Sequence, residues 1–116
     1  MQIITTFREM DSSPALQAAA ERWGARLEQV CDRIVSCHVS VERPHRHHLH
    51  GSPFAIHVVL GVPGAQIAVS HQSSLDPYVA LGDAFRTARR RLLEHTDLQR
   101  DFTRVPRIGR VVANRA

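Results

Sequence analysis

Three runs of alternating apolar and polar residues stand close together in the middle of the chain, and they limit the fold more than any other feature. Over residues 33–43, Val35, Cys37, Val39 and Val41 face one way while Ser36, His38, Ser40 and Glu42 face the other. Over 54–62 the inward set is Phe54, Ile56, Val58, Leu60 and Val62, and over 65–71 it is Ala65, Ile67 and Val69. A period of two sends successive side chains to opposite faces of a pleated sheet. Each run therefore reads as a strand with one apolar and one largely polar face, in a sheet covered on one side only. Val62-Pro63-Gly64-Ala65 is a tight turn in which Gly64 is free to take a positive φ, so the second and third runs form a hairpin.

Two amphipathic stretches supply the cover. Asp11-Ser12-Ser13-Pro14 is a helix start, with Ser13 as N-cap and Pro14 in the first turn. The helix runs to about Val30 and is expected to bury Leu16, Ala19, Ala20, Trp23, Leu27 and Val30, with Gly24 weakening it by about 1 kcal/mol relative to alanine. Asp76-Pro77 opens a second helix over 76–95, in which Tyr78, Leu81, Phe85, Ala88 and Leu92 share one face. Residues 2–7 add a short strand with Ile3, Thr5 and Phe7 on one side. The order β-α-β-β-β-α predicts a parallel first strand pair joined by a right-handed crossover, then an antiparallel meander. The fold class is α+β: a two-layer sandwich with a four-stranded mixed sheet and both helices on one face.

The chain has 116 residues, enough for one domain with one core, placed at 1–95. Residues 96–116 show no helical stripe, contain Pro106, Gly109 and five arginines, and read as an exposed, flexible basic tail. Its end, Ile108-Gly109-Arg110-Val111-Val112, has the pattern of a strand beginning, as at the start of a truncated second domain. No apolar run reaches the roughly 20 residues needed to span a membrane, and the start of the chain lacks a signal-peptide pattern. Cys31 and Cys37 match neither a disulfide framework nor a CxxC site and read as reduced thiols of a cytoplasmic protein.

All 15 basic residues are arginine, and the formal net charge is +4. Guanidinium groups fork onto phosphate and stack on bases, so the composition points to a polyanionic partner. A genomic bias against lysine would leave the same mark. On the first helix Arg22, Arg26 and Gln29 fall at i, i+4 and i+7, with Glu21 and Glu28 on the opposite flank. On the second, Arg86, Arg89 and Arg90 gather on one side and Arg91 lies on the other. Charge segregated by flank suits a surface that tracks phosphates. The competing reading is a solvated face with local pairs, Asp83–Arg86 and Arg90–Glu94, worth a few tenths of a kcal/mol each. Arg89 and Arg91 have no evident partner of that kind.

The loop Arg43-Pro44-His45-Arg46-His47-His48-Leu49-His50-Gly51 invites a zinc reading. Against it, no cysteine or carboxylate stands at ligand spacing, His47 and His48 are adjacent, and Arg43 and Arg46 repel a dication. A loop that hydrogen-bonds or stacks on RNA fits better, beside the plainer possibility of a solvated loop. No nucleophile sits on a strained turn, no glycine-rich phosphate loop is present, and no carboxylate pair shares a buried face. The chain reads as a non-enzyme without cofactor or metal.

These residues carry a resemblance. Arg8-Glu9-Met10-Asp11 with Ser13-Pro14-Ala15, Asp32-Arg33-Ile34, Val41-Glu42-Arg43-Pro44-His45-Arg46-His47-His48, Val62-Pro63-Gly64, Tyr78-Val79-Ala80-Leu81, Asp83-Ala84-Phe85 and Ala88-Arg89-Arg90 run in order through most of 2–95. The series resembles the ribosome hibernation-promoting factor and ribosome-associated inhibitor family. The resemblance implies a domain shaped like double-stranded-RNA-binding domains. It also implies binding to rRNA of the small ribosomal subunit in the mRNA–tRNA channel, in competition with mRNA and tRNA, with translation blocked in stress or stationary phase. It places RNA contacts on Arg86, Arg89, Arg90 and Arg91 of the second helix and on Arg22 and Arg26 of the first. Arg43, His45, Arg46, His47 and His48 join them from the loop. The expected partner is the small subunit, with no membrane involved and the isolated domain monomeric. The chain departs from the family in using arginine where lysine is common, in Ala65 for the second glycine of the turn, and in Gly82, which is expected to interrupt the second helix. Alternatives from other classes are a stand-alone double-stranded-RNA-binding module and a histidine-loop metal-binding protein.

Overall fold

The computed structural model describes residues 1–43 and 53–104. In chain order it contains β1 (Gln2–Arg8), α1 (Pro14–Val30), β2 (Ser36–Glu42), β3 (Ala55–Val62), β4 (Ala65–His71) and α2 (Pro77–Arg104). The strands form one sheet in the order β1-β2-β3-β4. β1 and β2 are parallel, and β2–β3 and β3–β4 are antiparallel. The mixed sheet and the element order are those the alternating runs predict.

Register turns the alternation into a core. Thr5, Val39, Val58 and Val69 stand opposite one another across the sheet, as do Ile3, Cys37, Leu60 and Ile67. Both helices cover these rows: Leu16, Ala20 and Leu27 from α1 and Leu81, Phe85, Ala88 and Leu92 from α2 are buried in one continuous cluster. Each large aliphatic or aromatic side chain so buried contributes about 1.5–3 kcal/mol. Gly64 takes a φ of 78° in the β3–β4 turn, as its place there requires.

The capping signals work as the sequence suggests. The Leu16 N–H donates to Ser13 Oγ at 3.2 Å, and the Tyr78 N–H donates to Asp76 Oδ1 at 2.9 Å. The ends of the elements differ from expectation. Val35 is 64% exposed because β2 begins at Ser36, and Ile34 fills the core instead. Val30 and Tyr78, expected on apolar faces, are 37% and 46% exposed. Each lies in a terminal turn of its helix. α2 runs to Arg104, beyond His95, so the first part of the segment read as a tail is helical. The chain has no glycine or proline between Gly82 and Pro106, so nothing in its backbone chemistry stops the helix sooner.

Gly82 does not interrupt α2 either. A Cβ there would stand 3.2 Å from Trp23 Cζ2, and one at Gly24 would stand 2.5 Å from Ile3 Cδ1. The two helical glycines let α2 close on Trp23 and α1 close on β1. Among the described residues, no helix is long and apolar enough to cross a membrane.

Candidate nucleic-acid interface

The two faces of the molecule differ in charge. The uncovered sheet face presents Gln2, Ile4, Thr6, Arg8, Ser36, His38, Ser40, Glu42 and the alternate residues of β3 and β4, so its fixed charges are one arginine and one glutamate. The helical layer carries the arginines. Arg22, Arg26, Arg86, Arg89, Arg90 and Arg91 are all exposed there.

Trp23 is the point at which the two helices' cations meet. Its ring stacks on Phe85, with centroids 5.9 Å apart and planes 12° from parallel. The Arg26 guanidinium lies 4.9 Å from the indole centroid and that of Arg86 lies 5.7 Å away. Phe85 is fully buried, so the half-buried indole is anchored to the core on one side, and two cations lie over its ring. Beside it runs a cleft with an apolar floor of Trp23, Leu27, Val30 and Phe85, bordered by Arg26, Gln29 and Arg89. The sequence pattern identified Trp23 as a core anchor. The Trp23–Arg26 spacing of i, i+3 was the local signal for its second role, since residues three apart are neighbours on a helix.

Among the described residues the ion pairs are the Met1 amine with Glu28 at 2.9 Å and Asp83 with Arg86 at 2.7 Å. The expected Asp83–Arg86 pair is formed and the expected Arg90–Glu94 pair is not. That leaves Arg22, Arg26, Arg89 and Arg90 without a carboxylate among the described residues. Asp83 also accepts a hydrogen bond from the Ser73 hydroxyl at 2.7 Å. This bond first, and then Arg86, hold its carboxyl below the usual aspartate range.

Arg91 has a partner that the sequence did not reveal. Its Nη1 donates to the Ala68 carbonyl on edge strand β4 at 2.7 Å. A charged side chain laid along an edge also discourages pairing with another chain. Arg43 stands at the end of β2, with its guanidinium 6.0 Å from the Phe54 ring. The register places Arg8, Glu42, Ala55 and His71 at this same end of the sheet, from which both helices depart. His45, Arg46, His47 and His48 lie outside the described residues. The structure thus brings Arg26 and Arg86 together over Trp23, with Arg89 on the cleft beside it, and places Arg91 apart at the β4 edge. Among the described residues, no three histidine, cysteine or acidic side chains are grouped as a metal site.

Comparison with known structures agrees with this architecture. A ribosomal subunit interface protein from Coxiella burnetii superposes with a TM-score of 0.71 at 21% identity, covering 84% of this chain and 99% of that one. The N-terminal domain of Thermus thermophilus Protein Y gives 0.64 at 17% identity, covering 78% and 94%. At such identities the likeness speaks for the fold alone. No curated protein sequence matches the chain. The family described as sigma 54 modulation protein / S30EA ribosomal protein matches residues 3–100. Nearly the whole described domain is included in that match, and the chain belongs to this family, the one its hibernation-factor motifs resemble.

Proposed function

We propose that this protein is a cytoplasmic, non-enzymatic, ribosome-associated translation inhibitor. It binds rRNA of the small subunit in the mRNA–tRNA channel and blocks translation sterically under stress or in stationary phase. The observation that carries this reading is the concentration of exposed arginines on the helical layer, four of them without a carboxylate among the described residues, on a domain of the S30EA ribosomal protein family. Each phosphate neutralised by such a group releases counterions, which favours association with a polyanion. Contacts are assigned to Arg22, Arg26, Arg86, Arg89 and Arg90. Arg91 adds to the field while it holds the β4 edge. Contacts are also assigned to Arg43, at the end of the sheet where both helices begin, and to His45, Arg46, His47 and His48 of the sequence that follows it.

Co-sedimentation with isolated small subunits tests the proposal. The wild-type protein is expected to pellet with subunits and to be displaced by mRNA and tRNA, with free duplex RNA competing poorly. Arg89→Glu/Arg90→Glu is expected to abolish pelleting while the thermal melt stays within a few degrees of wild type. Pelleting unchanged by the double substitution would overturn the assignment. Efficient competition by free duplex would instead support a stand-alone RNA-binding module.

A further inference from the structure

The cleft between α1 and α2 has an open volume of about 310 Å³, at the small end of the range for ligand sites. Its composition is specific. A surface for phosphate alone needs no apolar floor, and a groove for an apolar side chain needs no arginines lacking carboxylate partners. Trp23, Leu27, Val30 and Phe85 below Arg26 and Arg89 suit a flat, weakly hydrated group tied covalently to an anion. We infer that the cleft takes one unpaired nucleotide of RNA, with the base on the apolar floor beside Trp23 and its phosphate between Arg26 and Arg89.

The inference rests on the RNA-binding reading above and adds that an unstacked base is recognised, beyond duplex backbone. Arg26 lies over the indole at 4.9 Å in the free protein. Entry of a nucleotide moves the guanidinium from the ring to the phosphate. One cation–π contact is exchanged for a charge-assisted hydrogen bond and a base–aromatic contact. Gln29 on the rim offers a donor and an acceptor to the edge of the base. Unpaired bases are the form of RNA that aromatic and guanidinium planes recognise, because a duplex hides its base faces.

Trp23 is the single tryptophan, so its fluorescence reports on the cleft directly. Titration with an unstructured single-stranded oligoribonucleotide is expected to quench it saturably. A duplex of the same composition, and heparin, are expected to bind without comparable quenching. Val30→Phe, at a half-exposed position, fills the cleft without changing charge. It is expected to weaken single-strand binding about tenfold, the scale of one base stack, as read by anisotropy of a labelled oligonucleotide. Heparin affinity should be unchanged. Val30→Met serves the same purpose should the phenylalanine variant fail to fold. Equal quenching by duplex or heparin, or unchanged single-strand affinity in the filled variant, overturns the inference. Quenching by an acidic, apolar peptide but not by single-stranded RNA does so too. Co-sedimentation is scored on the same proteins: quenching without ribosome binding counts against the ribosomal reading alone, and ribosome binding without quenching counts against the cleft alone.

Discussion

The Cys37 thiol and the Asp83 carboxyl show how position converts one side chain's chemistry into a property of the fold. Cys37 is fully buried on β2, and burial pushes its pKa up to about 11, because a thiolate there would lose its hydration. The folded value lies above the unfolded one, so its contribution to stability is complete below the ordinary thiol range. That contribution is lost as pH rises towards about 11. Native protein is therefore expected to release one equivalent in a thiol-reactive dye assay, from half-buried Cys31, and the second only after denaturation. Two equivalents from the native protein at the rate of free cysteine would contradict the burial. Asp83 runs the other way. Its carboxyl is held below the usual range by Ser73 and Arg86, so its contribution is present above the unfolded pKa and is lost as pH falls through the folded one. Asp83→Asn should lower the neutral plateau of a plot of melting temperature against pH slightly and so flatten its acid side, with variant and wild type converging once pH falls below the folded pKa. The pair is exposed and screened, so this effect is smaller than any core truncation.

At the scale of elements, α2 joins the core to the charged surface. Its inner face places Leu81, Phe85, Ala88 and Leu92 at full burial, and Phe85 is also the platform for Trp23. Phe85→Ala removes that platform and leaves a cavity, and is expected to cost about 3–5 kcal/mol. The urea midpoint should fall with little change in slope. Tryptophan emission should shift to the red as the indole loses its stacked neighbour. A loss below about 1 kcal/mol would mean that the α1–α2 packing is not what seats the helix. α2 spans 28 residues, about 42 Å, and its buried residues Leu81, Phe85, Ala88 and Leu92 follow one another along a single stripe.

For the whole molecule the decisive property is the asymmetry of charge between the helical layer and the open sheet face. A polyanion bound on the helical side should show binding that weakens linearly in log–log form with salt. Arg89→Ala and Arg90→Ala, each made singly, should lower that slope by roughly one for the phosphate no longer neutralised. Arg91→Ala, by contrast, should change affinity little and act on the β4 edge that its side chain spans. A fall in affinity equal to that of the Arg89 and Arg90 variants would move the interface to the other flank of α2.

Much of this was legible in the chain itself, because a period of two and a period of 3.6 are local properties. The inward rows through Cys37, Val39, Leu60 and Val69, the caps at Ser13 and Asp76, and the turn at Gly64 depend on a few neighbouring residues each. The ends of elements did not follow, since Val30, Val35 and Tyr78 keep the right type and spacing but are left exposed at the ends of their elements. The arginines divide in the same way. Sequence alone established that they gather on helix flanks and that Asp83 can pair with Arg86. Only the tertiary structure decided that Arg26 and Arg86 meet over one indole from two helices, with Arg89 on the adjoining cleft, while Arg91 is held by a carbonyl of β4. Periodicity assigns a side chain to a face, but its neighbours on other elements follow from how two helices cross a twisted sheet, and no local pattern encodes that.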